Sequence, residues 1–315
     1  MEISIFTTVA TLLGGLAVFI FGMNLMSEGL QKSAGDKMRN ILAMLTANPV
    51  FGVLAGALTT AVLQSSSATT VMVIGFVSAG LMKLPQAISV ILGANIGTTI
   101  TAQLIAFNIG DYAWIFVFVG FIMMFFLKHK EKIRDIGEIA FGFGLLFVGI
   151  NTMGDVMKPL ANAQAFTDLM LKVSDIPILG VLLGIISTMV IQSSSAVIAV
   201  LQNLAATPGP DGVTSVIGLT GALPILFGSN IGTTITALMA SVGASVNAKR
   251  TAVAHTIFNF GGTLIFIWFI PQISKLVHWL SPKGAEVGVI AREIANAHLL
   301  FNVVCTLLFI PFIWL

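Results

Sequence analysis

Charge is what this 315-residue chain has least of: Asp, Glu, Lys and Arg together make up 9% of it, against about 25% in an ordinary soluble domain. That scarcity excludes a charged, fully solvated surface. A single cysteine, Cys305, lies inside an apolar run, which excludes a disulfide framework and a thiolate metal site. The formal charge of +2 is too small to point to a nucleic-acid partner. Met1 to Phe6 carry Glu2 and no Lys or Arg, so the first apolar segment reads as a retained membrane helix rather than a secretory signal. What the chain has in quantity is hydrophobic residues, 57% of the total, with a mean hydropathy of +1.01. They fall in many runs near the ~20 residues that a helix needs to cross a bilayer core.

The chain also repeats itself. Pro49 to Ser67 (PVFGVLAGALTTAVLQSSS) aligns with Pro177 to Ser195 (PILGVLLGIISTMVIQSSS). Upstream, Gly22, Asn24 and Met26 match Gly149, Asn151 and Met153; downstream, GANIGTTIT from Gly93 matches GSNIGTTIT from Gly228. The second interval is longer, and the loop from Ala205 to Gly212 accounts for the excess. Because the polar residues match in order, a duplication explains the pattern better than a chance resemblance of Gly- and Ser-rich apolar helices.

Seven spans are expected, near Ile5 to Leu30, Gln86 to Phe107, Tyr112 to Leu127, Ile136 to Met157, Val213 to Val242, Ala248 to Pro271 and Ala291 to Trp314. Two apolar stretches remain, Pro49 to Met82 and Pro177 to Ala206, each interrupted in its middle by QSSS. Each half is short for a full span, so each stretch reads as a re-entrant hairpin whose tip lies at membrane depth, where irregular backbone survives only against protein or a polar cavity. The expected fold is an all-α polytopic membrane protein of two inverted repeats, with broken helices. Residues 1–135 form repeat one (a span, the QSSS hairpin and two spans), residues 136–272 the inverted repeat two, and residues 273–315 an extra-membrane loop and final span.

With the N-terminus outside, the inner loops collect Lys32, Lys37, Arg39, Lys83, Lys128, Lys130, Lys132, Arg134, Lys249 and Arg250. The outer loops collect Lys158, Lys172, Lys275, Lys283 and Arg292. This asymmetry agrees with the positive-inside rule. Three full spans in repeat one turn repeat two upside down, so the first hairpin enters from the cytoplasm and the second from outside. Inverted repeats whose interrupted helices meet near the midplane recur among secondary transporters, an analogy that is silent on substrate.

Between Pro49 and Gly110 the only charged side chain is Lys83, and between Ile176 and Ala248 it is Asp211; both sit at loops. The polar inventory is Gln64, Ser65, Ser66, Ser67, Thr69, Thr70, Asn95, Thr98 and Thr99 in one repeat. The other offers Gln192, Ser193, Ser194, Ser195, Asn230, Thr233 and Thr234. Three serines before an apolar helical run read as a turn and N-cap. The second arm of each hairpin then aims free N–H groups and a positive dipole end at its tip, which suits an anion. Gln and Asn carbonyls can serve a small hard cation, and Gly93, Gly97, Gly228 and Gly232 would permit a break in the helix that exposes further carbonyls. An uncharged site holds a multiply charged anion poorly unless a cation such as sodium arrives with it, since charges 4 Å apart interact by about 4 kcal/mol at an effective dielectric of 20.

Other features read more plainly. Gly52 with Gly56, and Gly180 with Gly184, have the GxxxG spacing of close helix packing. A lone SSS would read as packing too, but its recurrence after Gln, paired with NIGTT, argues for function. His255 and His298 recur in AHTIFN and AHLLFN, with Asn259 and Asn302 one turn on, and read as interhelical hydrogen bonding rather than a proton relay. Thr59 and Thr60 read as packing, and Glu28 and Asp155 as interfacial charges.

Two QSSS hairpins, each followed by G-x-N-I-G-T-T, resemble the type II sodium–phosphate cotransporter family, including its bacterial members, over nearly the whole chain. The resemblance implies sodium-driven import of inorganic phosphate across the cell inner membrane by alternating access, with no enzymatic activity and no cofactor. Phosphate would be lined by Ser65, Ser66, Ser67, Ser193, Ser194, Ser195, Asn95 and Asn230. Sodium would be lined by Gln64, Gln192, Ser67, Ser195, Thr69, Asn95, Asn230, Thr98 and Thr233. Thr69 and Thr70 face Val197 and Ile198 at the corresponding places, so the sodium sites should be asymmetric. Phosphate, sodium and membrane lipid are the expected partners, nucleic acid is not, and a homodimer is left open. Bacterial relatives often append a helical domain resembling the phosphate-regulatory protein PhoU, expected to be absent or removed here because the chain stops at Leu315. A symporter of another solute, a phosphate exporter and a passive anion channel remain alternatives. An intramembrane serine hydrolase through Ser66 or Ser194 lacks a base within either hairpin.

Overall fold

A computed structural model describes residues 5–34, 48–107, 110–127, 130–160 and 163–314. Of the basic residues counted above, Lys37, Arg39 and Lys128 lie outside the described residues, as do Met1 and Glu2. The helices are α1 (Ile5–Ala34), α2 (Pro49–Leu63), α3 (Ser66–Ser78), α4 (Leu84–Ile105), α5 (Ala113–Phe126), α6 (Glu131–Leu160) and α7 (Gln164–Asp175). They continue with α8 (Pro177–Ile191), α9 (Ser194–Ala205), α10 (Gly218–Ala240), α11 (Val246–Phe266), α12 (Ile270–Leu280) and α13 (Glu286–Phe309).

Six of these segments are long and apolar enough to span: α1, α4, α6, α10, α11 continued through α12, and α13; the bent pair α7–α8 would make a seventh. The expected span at Tyr112 to Leu127 is formed as α5, which has only 14 residues. At 1.5 Å per residue that covers about 21 Å, short of a ~30 Å hydrocarbon core. The segment before α8 is a helix of its own, α7, which meets α8 at 107°. The turn comes at Ile176, before Pro177, where the proline ring pushes the preceding residue out of the helical region.

Glycine sets how the helices meet. Repeat mates α1 and α6 pack antiparallel, because Gly15, Gly22 and Gly29 face Gly149, Gly142 and Asp135 in reverse order. A Cβ built on Gly22 would lie 2.6 Å from the Gly142 carbonyl oxygen, and one built on Gly149 would lie 2.6 Å from that of Gly15. Gly22 and Gly149 are mates, as are Gly15 and Gly142, so one contact is made twice, as a two-fold relation demands. Antiparallel mates are what repeat inversion means in coordinates. Within each repeat the first hairpin arm runs parallel to the motif helix: Gly52, Gly56, Gly93 and Gly97 interlock α2 with α4, and Gly180, Gly184, Gly228 and Gly232 interlock α8 with α10. The motif glycines Gly93, Gly97, Gly228 and Gly232 therefore serve packing, and the expected break at Asn95 and Asn230 does not occur: α4 and α10 run on unbroken.

The breaks that matter are at the hairpin tips. α2 ends at Gln64 (φ 52°) and α8 at Gln192 (φ 59°), the two non-glycine residues with positive φ among those described. The longer second interval is the loop before α10, closed by a bridge between Pro208 and Ser215. There the Asp211 carboxylate accepts from the Thr214 hydroxyl and from the Val213 and Thr214 amides, which hold its pKa below the usual carboxylate value. Many apolar side chains remain exposed on the outer surface, Phe118 at 65% and Val190 at 77% for example, as lipid contact would require.

Candidate functional site

Each tip is built the same way. The left-handed glutamine closes the first arm, its backbone N–H donating to Thr60 O in one hairpin and Thr188 O in the other. Its side-chain amide folds back to donate to Ala61 O or Met189 O. The next serine is extended and caps the second arm, with Ser65 Oγ accepting from Ala68 N at 3.1 Å and Ser193 Oγ from Ala196 N at 3.2 Å. The N–H groups of Ser66, Ser67, Ser194 and Ser195 then occupy the first turn of α3 and α9, where an α-helix offers them no internal acceptor.

Both tips open on one cavity of about 220 Å³. It is lined by Gln64, Ser65, Ser66, Ser67 and Thr98 from repeat one, by Ile191, Gln192, Ser193, Ser194 and Ser195 from repeat two, and by Ile20, Met23, Asn24 and Ser27 of α1. Two helix N-termini thus converge there, each equivalent to roughly half a positive charge, and no ionisable side chain lines it. Such a chamber gathers N–H and O–H donors around an anion without neutralising it. Among the described residues no group of His, Cys, Asp and Glu could hold a metal.

The motif helices brace the tips. Thr101 Oγ1 donates to Gln64 Oε1 at 2.8 Å and Thr236 Oγ1 to Gln192 Oε1 at 3.3 Å, while Thr98 Oγ1 donates to Ser66 Oγ at 3.5 Å. Thr101 and Thr236 were missed in the sequence, although both close the repeated GxNIGTTIT string. The α1 residues were missed because a cavity-facing stripe on an apolar helix has the same composition as a packing stripe.

Four expected site residues do not line the cavity. Asn95 Oδ1 accepts from His255 Nε2 of α11 and Asn230 Oδ1 from His298 Nε2 of α13, each at 3.1 Å. Thr233 Oγ1 donates to Ser229 O at 3.1 Å. Thr69 Oγ1 accepts from Thr60 Oγ1 at 2.9 Å, so Thr60 does more than pack. In the second hairpin Val197 replaces Thr69, and the hydroxyl of Thr188, the mate of Thr60, is left buried without a hydrogen-bond partner. The histidine pairs bear out the reading of interhelical hydrogen bonds. They also place His255 on an asparagine rather than on a serine of either hairpin, so this ring supplies no base to a serine hydrolase. At the helix ends, Glu28 lies 4.0 Å from Lys32, whose ammonium also reaches Glu138 at 2.6 Å.

A profile described as Na+/Pi-cotransporter matches residues 18–155 and, a second time, residues 152–281. The chain belongs to the Na+/Pi-cotransporter family. It is therefore a transporter, not an enzyme, and a multi-pass membrane protein. This cotransporter-family chain is 36% identical over 268 residues to the uncharacterized protein YqeW of Bacillus subtilis, covering 85% of itself and 84% of that protein. It is 26% identical over 281 residues to YjbB of Escherichia coli K12, whose name proposes inorganic phosphate export; there it covers 89% of itself and spans only 50% of the relative. Over 105 residues it is 38% identical to the human sodium-dependent phosphate transport protein 2B, covering 32% of itself and 15% of that protein. No solved structure matches the chain.

Proposed function

We propose that the protein is a sodium-coupled symporter that imports inorganic phosphate across the cell inner membrane by alternating access, with both ions bound between the two QSSS turns. The observation that carries this is the meeting of both turns in one uncharged cavity at paired helix N-termini. The N–H and hydroxyl groups of Ser65, Ser66, Ser67, Ser193, Ser194 and Ser195 contact phosphate. Gln64, Gln192, Thr98 and the serine oxygens coordinate sodium, which supplies the positive charge that the walls lack. Asn95, Asn230, Thr69 and Thr233 act one layer behind, holding the motif helices and the first tip in place. The repeats divide at residues 135 and 272.

Family membership supports sodium and phosphate as the cargo, and coupling follows from electrostatics: each ion binds weakly alone and better beside the other. Purified protein in liposomes tests the reading. An inward sodium gradient should concentrate labelled phosphate, with arsenate competing and sulfate not. Accumulation against a phosphate gradient excludes a channel, and uptake indifferent to sodium contradicts the symport. Export, the second reading, draws on the resemblance to YjbB. It would appear as sodium-linked loss of phosphate from preloaded vesicles with no uptake when the gradient is reversed.

A further inference from the structure

α1 presents Ile20, Met23, Asn24 and Ser27 to the cavity, at i, i+3, i+4 and i+7 on a single face. Ser27 is already engaged: its hydroxyl donates to Leu63 O and accepts from Gln31 Nε2 at 2.9 Å. Asn24 differs, for its side chain is exposed on the cavity and no hydrogen bond ties it to the described residues. A polar side chain on a membrane-spanning helix is costly unless something polar meets it. Within this wall that something must be the cavity's contents.

The repeat mate of Asn24 is placed otherwise. Asn151 Nδ2 donates to Gly110 O at 3.2 Å. It borders a separate cavity of about 430 Å³ that includes Asp111, Asp155, Asn203 and Thr207. Two asparagines alike in sequence context therefore sit in unlike surroundings, and only Asn24 reaches the serine turns. The other two amides on the wall are already folded back, Gln64 onto Ala61 O and Gln192 onto Met189 O. Asn24 is left as the side-chain amide with its N–H groups free for a ligand.

We propose that Asn24 is a third contact to the transported anion, its Nδ2 donating to an oxygen that projects away from the serine turns. This rests on the reading of the cavity as a phosphate site. Asn24→Asp is nearly isosteric and turns a donor into a negative acceptor. In sodium-driven liposome uptake it should raise the half-saturating phosphate concentration roughly tenfold or more, and Asn24→Ala should raise it several-fold. Half-saturating sodium, measured at saturating phosphate, should change by less than about twofold. Asn24→Ser, smaller and still a donor, takes the place of Asp if that variant does not purify as a monodisperse protein, and should lie between Ala and wild type. Phosphate values unchanged in these variants would overturn the proposal. So would a fall in half-saturating sodium with phosphate unchanged, since Asn24 would then face the cation. Wild-type vesicles without sodium-driven uptake would overturn the cotransport reading instead, and labelled-phosphate binding to purified wild type and Asn24→Asp would then decide the role of Asn24 separately.

Discussion

A side chain with a Cβ pays about 1–2 kcal/mol to enter the left-handed region, yet the chain spends that cost twice, at Gln64 and Gln192. What offsets it is local: each glutamine closes the preceding helix and is held by a threonine from the motif helix. In the proposed function the serines that follow hold the anion. Ser66→Ala and Ser194→Ala should each weaken phosphate uptake by about 1–3 kcal/mol, roughly 5- to 150-fold, while the protein elutes unchanged from a sizing column. Wild-type uptake in both would mean that the tips only pack. Behind the tips, His255→Leu or His298→Leu leaves a buried asparagine carbonyl unpaired, and should lower stability in detergent by about 1–3 kcal/mol; Gln at either position should recover part of it. These pairs were half legible in the sequence. The repeated AHxxFN strings marked the histidines as partners, but nothing local said that each would take the Asn of GxNIG from another helix.

At the scale of elements, the hairpins were readable because QSSS cuts an apolar stretch into halves too short to span and because the cut occurs twice. The fate of the glycines was misjudged. In one sequence a glycine that frees the backbone and a glycine that admits a neighbour look alike, and Gly93, Gly97, Gly228 and Gly232 turned out to admit neighbours. A Cβ on Gly56 or Gly184 would overlap the carbonyl oxygen of Val90 or Ile225. Gly56→Leu and Gly184→Leu should therefore prevent recovery of folded protein, because backbone cannot yield as a side-chain end can. Normal yield and melting temperature would show that these helix pairs separate easily. Helix α7 was missed because its 12 residues are amphipathic and polar in part, so hydropathy alone passes over it.

The whole molecule joins two antiparallel copies across the glycine seam of α1 and α6, and the copies are not in the same state: α1 looks into the serine cavity while the matching face of α6 looks into another. Such inequality is what the proposed alternating access would need, since a transporter working that way must differ on its two sides at any instant. The orientation read from the basic loops can be checked with cysteine scanning, because the native Cys305 is fully buried. A cysteine at Asp211 should react with a membrane-impermeant maleimide on intact cells, and one at Lys249 only after permeabilisation; the reverse pattern would invert the topology. The central claim is that the two serine turns bind phosphate together and only with sodium beside it. Equilibrium binding of labelled phosphate to purified protein, in sodium and in choline, tests it most directly. The account predicts affinity at least tenfold higher in sodium, weakened by Ser66→Ala and by Ser194→Ala alike; tight binding that is the same in choline and indifferent to both substitutions would contradict it.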